Sequence, residues 1–147
     1  MAGSHVGHDA QVEDDVILVN GASVAGHAHV GAGAMLVAHS AVHQFGRIGR
    51  LTLVGGSAMV TRDAPPFSIV TGSYPVLWRG PNTVGLQRAG FSSDECSAIR
   101  KALQSLFRHT EGSKGAAQAL AEHNLASVRE ISTFVLASER GICGRKE

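Results

Sequence analysis

Three histidines, His8, His27 and His43, stand 19 and 16 residues apart and offer the plainest chemistry in this sequence. The imidazole changes charge nearest neutrality, which suits it to taking and returning a proton. Asp9 follows His8 directly. A carboxylate beside an imidazole raises its basicity and fixes which ring nitrogen carries the proton. His5 lies near the same edge. Brought together, these side chains could act as a general base with polar substrate ligands. They could equally be partly exposed corner residues, or neutral zinc ligands, with His39 four residues before His43 as a further donor. His29 falls elsewhere in the pattern, and His109 and His123 in the C-terminal part carry no signal.

What would bring the histidines together is a period of six. Val6, Val12, Leu18, Val24, Val30, Leu36, Val42, Ile48, Val54 and Val60 follow one another at that interval without a gap. Neither a helix nor a single strand produces such a repeat, whereas a stacked solenoid with six residues per side does. Four positions on come Ala10, Val16, Ala22, Ala28, Ala34, Ser40, Gly46, Thr52, Ala58 and Ala64, all small except Val16. Small residues belong where the chain turns inward at a tight corner. Three such sides make an eighteen-residue coil, and spacings of 19 and 16 bracket it. His8, His27 and His43 are therefore expected near one corner of three successive coils, about 4.8 Å apart per layer. Gly7, Gly21, Gly26, Gly31, Gly33, Gly46, Gly49, Gly55 and Gly56 are read as the permissive backbone of closely stacked corners.

The pattern stops at Ala64-Pro65-Pro66, where two prolines remove ladder donors. The expected organisation is a parallel β-helix over residues 1–72, an irregular linking segment over 73–91 with a last strand near Phe67–Val70 before it, and a small helical domain over 92–147. In that domain Ser92 and Glu95 have capping-box spacing ahead of Ile99, Ala102, Leu103 and Leu106. Gly112 precedes an Ala-rich stretch at 114–123, Ser127 and Glu130 repeat the capping box, and Gly141 ends a third helix. The first coil begins almost at Met1 with its strand edges open, so it is expected to fray, to be covered by another chain, or to continue something longer.

Composition narrows the function classes. A formal charge of +1 over 147 residues gives no electrostatic footprint for nucleic acid or an anionic membrane. No apolar run is long enough for a membrane span, and MAGSHVGHD does not read as a signal peptide. Cys96 and Cys143 lack metal-site spacing and are read as free thiols. A soluble cytoplasmic protein is the expectation.

The segments HVGHDAQVEDDVILVNGASVAGHAHV, AVHQFGRIG, LVGGSAMVTRDAPPFSIVTG and NTVGLQRAGF, with RGI near the end, resemble the C-terminal half of the UDP-N-acetylglucosamine O-acyltransferases that begin lipid A synthesis. The resemblance runs from about His5 to Gly141 and rests on HxxHD, AGH, AVHQF, DxPP and GLxRxGF in that order. It implies a left-handed β-helix and a homotrimer with clefts between neighbouring chains. The implied reaction moves a 3-hydroxyacyl group from acyl carrier protein to the 3-hydroxyl of UDP-N-acetylglucosamine, without metal or diffusible cofactor. His8 would be the general base, Asp9 its support, and the Gly26 N–H an oxyanion donor. His5, His27, His43 and Gln44 would line the substrate site, Asn82 and Arg88 would meet the nucleotide, and Gly56 and Tyr74 would bound the acyl-chain groove. Val84 stands where that family has an acidic residue, and Ala89 where it has a second basic one. Two other readings share the architecture: a non-catalytic trimeric remnant of such an enzyme, and a zinc enzyme like the γ-carbonic anhydrases.

Overall fold

The computed structural model describes residues 1–108 and 112–145. Two-residue strands recur every six residues: β1 His5–Val6, β2 Gln11–Val12, β3 Ile17–Leu18, β4 Ser23–Val24, β5 His29–Val30, β6 Met35–Leu36, β7 Ala41–Val42, β8 Arg47–Ile48, β9 Leu53–Val54 and β10 Met59–Val60. Each of β1 to β7 pairs in parallel with the strand three further on, so His5 sits on Ser23, Ser23 on Ala41, and Met59 on Ala41. The eighteen-residue coil is thus met residue for residue, in a left-handed parallel β-helix of about four turns. One face stacks β1-β4-β7-β10 and a second β2-β5-β8, while the third stacks β3-β6-β9.

The period fixes what is buried. The second residue of each strand points inward, and Val24, Val30, Leu36, Val42, Ile48, Val54 and Val60 are fully buried. Burying such a side chain is worth about 1.5–3 kcal/mol. Ala22, Ala28, Ala34, Ser40, Thr52, Ala58 and Ala64 fill the corners between them. Val6 and Val12, at the same inward positions of the first coil, stay 46% and 37% exposed because only one neighbouring coil covers them.

The corners work differently from the glycine expectation. A left-handed backbone recurs three residues after each inward aliphatic from Val6 to Val54, at Asp9, Asp15, Gly21, His27, Gly33, His39, Phe45, Leu51 and Ser57, with φ between 53° and 69°. Only Gly21 and Gly33 of the expected glycines hold that position. Others are small for steric reasons: a Cβ on Gly31 would lie 2.7 Å from the Arg50 nitrogen of the next coil. Asp and His tolerate this region better than most residues, whereas Phe45 and Leu51 are held there by the ladder on either side.

The segment expected to be irregular is ordered. The last strand expected near Phe67–Val70 is β11 (Ser68–Thr71), which continues the third face against β9; within 73–91 the chain adds β12 (Leu77–Pro81), antiparallel to β11, and α1 (Thr83–Arg88). Its prolines and glycines hid this, since Pro75 precedes the strand, Pro81 is its last residue and Gly80 lies inside it with φ 155°. Asn82 caps α1, its Oδ1 accepting from the Gly85 N–H while its Nδ2 donates to the Leu51 carbonyl.

α2 (Ser93–Leu106) starts as expected: Ser92 Oγ accepts from the Glu95 N–H, and Ile99, Ala102, Leu103 and Leu106 are buried. α3 spans Gly112–Ala119 and α4 spans Ala126–Leu136. The second capping box is absent. Ser127 lies inside α4 and donates to Glu95, while Glu130 takes a two-pronged contact from Arg50 of the β-helix. α4 ends at Leu136, five residues before Gly141, whose carbonyl accepts from the Asp63 N–H. The chain then adds β13 (Gly144–Arg145) beside β12. No helix among the described residues is long and apolar enough to cross a membrane.

Candidate functional site

The face of β1, β4, β7 and β10 carries an open groove of about 620 Å³. Its origin can be read column by column in the eighteen-residue register. His5, Ser23, Ala41 and Met59 stack in one column, Gly7, Ala25 and His43 in the next, and His8, Gly26 and Gln44 in a third. Glycine, alanine and serine in the middle of these columns leave a trough, with larger polar side chains along its sides. The floor offers Ala25, Ala41 and Met59, a surface suited to an alkyl chain. Of the residues expected at a site, His5, His8, Gly26, His43 and Gln44 line the groove.

Asp9 and His27 stand at its corner, with Phe45 completing a column at eighteen-residue spacing. All three take the left-handed corner conformation. His27 lies flat on Phe45, with ring centroids 4.8 Å apart and planes 6° from parallel, and meets the His8 ring edge-on at 5.0 Å. Phe45 was missed from the sequence, although its eighteen-residue spacing from His27 marks it. Its ring is 56% exposed and keeps His27 from swinging out.

His8 Nδ1 lies 3.0 Å from Asp9 Oδ2. A carboxylate only accepts, so this contact puts the proton on Nδ1 and leaves Nε2 bare. The hydrogen bond from His8, followed by the charge of His27 3.8 Å away, holds the Asp9 carboxyl below its ordinary range. Asp9 therefore stays an anion wherever a base at His8 would be needed. The His8 ring packs over Gly26, where an added Cβ would come within 2.8 Å of Nε2. Among the described residues the Gly26 N–H donates to no protein acceptor, while its carbonyl accepts from Phe45. A bare imidazole nitrogen thus stands beside an unused backbone donor, the pair that acyl transfer requires.

The remaining expected residues are not brought to this groove within one chain. Arg88 is exposed at the end of α1, and the Asn82 amide is occupied at both ends by the fold. Tyr74 is 79% exposed between β11 and β12. Gly56 has ordinary φ, and a Cβ there would meet only Ala38 and Val37 atoms at 3.6 Å, so the backbone does not require glycine. His39 is exposed, His29 pairs with Glu13 at 2.7 Å on the second face, and His123 accepts from the Leu125 N–H. His109 lies outside the described residues. His8, Asp9 and His27 present ligand atoms within 4.8 Å of one another and could hold a metal ion. Burial pushes the Cys143 thiol up to about 12, which removes it as a nucleophile.

Residues 63–143, more than half of the chain, match the family model for UDP-N-acetylglucosamine O-acyltransferase, domain 2. A curated relative from Thiobacillus denitrificans, acyl-[acyl-carrier-protein]–UDP-N-acetylglucosamine O-acyltransferase, is 39% identical over 97% of this chain and 55% of its own length. The solved UDP-N-acetylglucosamine acyltransferase of Francisella novicida superposes with a TM-score of 0.91 at 32% identity, over 99% of this chain and 54% of that one. That of Campylobacter jejuni gives 0.88 at 29% identity, over 95% and 54%. This chain spans about half the length of these relatives.

Proposed function

Because the chain belongs to the UDP-N-acetylglucosamine O-acyltransferase family, we propose that it transfers a 3-hydroxyacyl group from acyl carrier protein to the 3-hydroxyl of UDP-N-acetylglucosamine, the first step of lipid A synthesis. The observation that carries this reading is His8, oriented by Asp9 so that a bare Nε2 lies against Gly26. In the proposed step Nε2 takes the proton of the sugar hydroxyl, and the freed oxygen attacks the thioester carbonyl carbon. The Gly26 N–H receives the developing oxyanion. As the carbon–sulfur bond breaks, the proton passes from Nε2 to the leaving thiolate and the ester remains.

The apolar floor of Ala25, Ala41 and Met59 suits the acyl chain, and His5, His43 and Gln44 offer hydrogen bonds along the groove. The fold does not demand glycine at 56, which favours open space for the chain as the reason for it. Arg88 and Tyr74 would reach a groove across a trimer interface, with Asn82 setting the direction of α1. Exposed Phe45 and Met59 on the groove side are consistent with such a neighbour. Both cysteines are free and buried, as suits the reducing cytoplasm.

The direct test supplies the purified 147-residue chain with 3-hydroxyacyl carrier protein and UDP-N-acetylglucosamine, with its oligomeric state measured in the same sample. Formation of the 3-O-acyl product is the expected result; a folded trimer without product removes the proposal. Because the proposed step uses His8 as base and the Gly26 N–H as oxyanion donor, EDTA treatment is expected to leave the rate unchanged. A rate restored only by zinc would instead assign the His8, Asp9 and His27 cluster to a metal.

Gly26→Ala gives a sharper check. Its methyl group must displace the His8 ring without touching the buried core, so the rate is expected to fall at least about tenfold with little change in thermal stability. In a double-mutant cycle with His8→Ala the second change should add nothing, since both act on one imidazole. Additive losses would separate the two residues.

A further inference from the structure

We infer that Arg140, from the segment after α4, is a positioning residue that selects the tautomer of His43 and so makes this histidine a donor in the groove. The inference deepens the proposed acyl-transfer reading and rests on it for what the groove binds. Its geometry stands separately.

His43 Nδ1 has two neighbours with opposite demands. The Gln44 carbonyl lies 3.1 Å away and can only accept; Arg140 Nη1 lies 3.4 Å away and can only donate. A neutral imidazole nitrogen cannot answer both. Paired with the carbonyl, Nδ1 carries the proton and Nε2 is bare. Paired with Arg140, Nδ1 is bare and Nε2 carries the proton. Arg140 is held for the second arrangement, because the same Nη1 also donates to the Thr61 carbonyl at 3.0 Å and carries a hydrogen for each partner. A hydrogen bond from a charged donor is roughly twice as strong as a neutral one, which favours guanidinium over carbonyl despite the longer distance.

The consequence is a division of labour between two histidines in one trough. His8, with its proton drawn to Nδ1 by Asp9, presents a bare nitrogen that takes a proton. His43, with Nδ1 facing Arg140, presents Nε2–H, which can only donate. Its partner is an acceptor oxygen of the sugar nucleotide. A bare Nε2 at both positions would place a second base where an oxygen must be held.

The two-bond proton–nitrogen spectrum of the full chain, labelled with ¹⁵N at histidine, distinguishes bare from protonated ring nitrogens. The His43 signal is identified by its loss in His43→Gln. The expected wild-type spectrum has a bare Nδ1 and a protonated Nε2, inverting in Arg140→Ala and largely retained in Arg140→Lys. Protonated Nδ1 in the wild type overturns the inference whether or not the variants fold, and so does an unchanged spectrum in Arg140→Ala. Kinetically, losing this donor is expected to raise KM for the nucleotide sugar roughly tenfold with kcat little changed. The spectrum needs no turnover, so a chain without transfer activity would remove the proposed reaction and leave the tautomer assignment to be judged by itself.

Discussion

Replacing His8 with alanine is expected to cut acyl transfer by about 10³-fold while the β-helix remains folded. The size follows from what is removed. A positioned general base contributes about 10²–10⁴-fold, and among the described residues the ring that packs over Gly26 is that of His8. The side chain is 77% exposed on the first coil and fills no core volume. Substitutions at such positions usually change stability by less than about 0.5 kcal/mol. Circular dichroism and a thermal melt should therefore overlay on the wild type while the rate collapses. Asp9→Asn tests the supporting half of the pair. Asparagine tolerates the left-handed corner that Asp9 occupies at φ 57°, so the backbone is undisturbed. Its amide, however, can donate to His8 Nδ1 and draw the proton to Nε2. A large fall in kcat with an unchanged fold is expected; near-normal turnover in His8→Ala would falsify the assignment of the base.

The six-residue period was legible because each inward side chain meets only its counterparts in adjacent coils, so one rule repeats down the solenoid. The groove was legible in part for the same reason. His8 and Gly26 share a column eighteen residues apart, and His5 and Ser23 share another. Arg140 was not, because 97 residues separate it from His43 and nothing local marks the contact. Ser127 and Glu130 show the opposite failure. Their spacing is that of a cap, but the side chains serve Glu95 and Arg50, so tertiary partners outbid the local motif. Positions 73–91 misled through composition: a strand rich in Pro and Gly reads as a loop until its partners β11 and β13 are in place on either side.

Asp63 is where the β-helix and the C-terminal segment are joined, and its replacement by alanine is expected to destabilise the protein by about 4 kcal/mol. The carboxylate is 1% exposed. Its Oδ1 accepts from the Arg47 N–H at 3.0 Å and its Oδ2 from Ser138 Oγ at 2.7 Å, with the Arg47 guanidinium 3.8 Å from Oδ2. Alanine leaves a part-buried N–H and a buried hydroxyl without an acceptor, the buried one alone costing about 1–3 kcal/mol, and leaves Arg47 without its counter-charge. Arg47 keeps its bond to the Phe134 carbonyl and its place over the Phe134 ring, so the loss should stop short of unfolding. At about 2–4 °C per kcal/mol for a chain of this length, the midpoint should drop by roughly 10 °C. Asp63→Asn separates the hydrogen bonds from the charge. Its carbonyl can still accept from Arg47 and its amide can still donate to Ser138, so about half the stability should return. Equal losses in the two variants would make the ion pair dominant. A loss below about 1 kcal/mol in Asp63→Ala would move the joint to the backbone bridge, where the Gly141 carbonyl accepts from the Asp63 N–H and the Cys143 N–H donates to the Asp63 carbonyl.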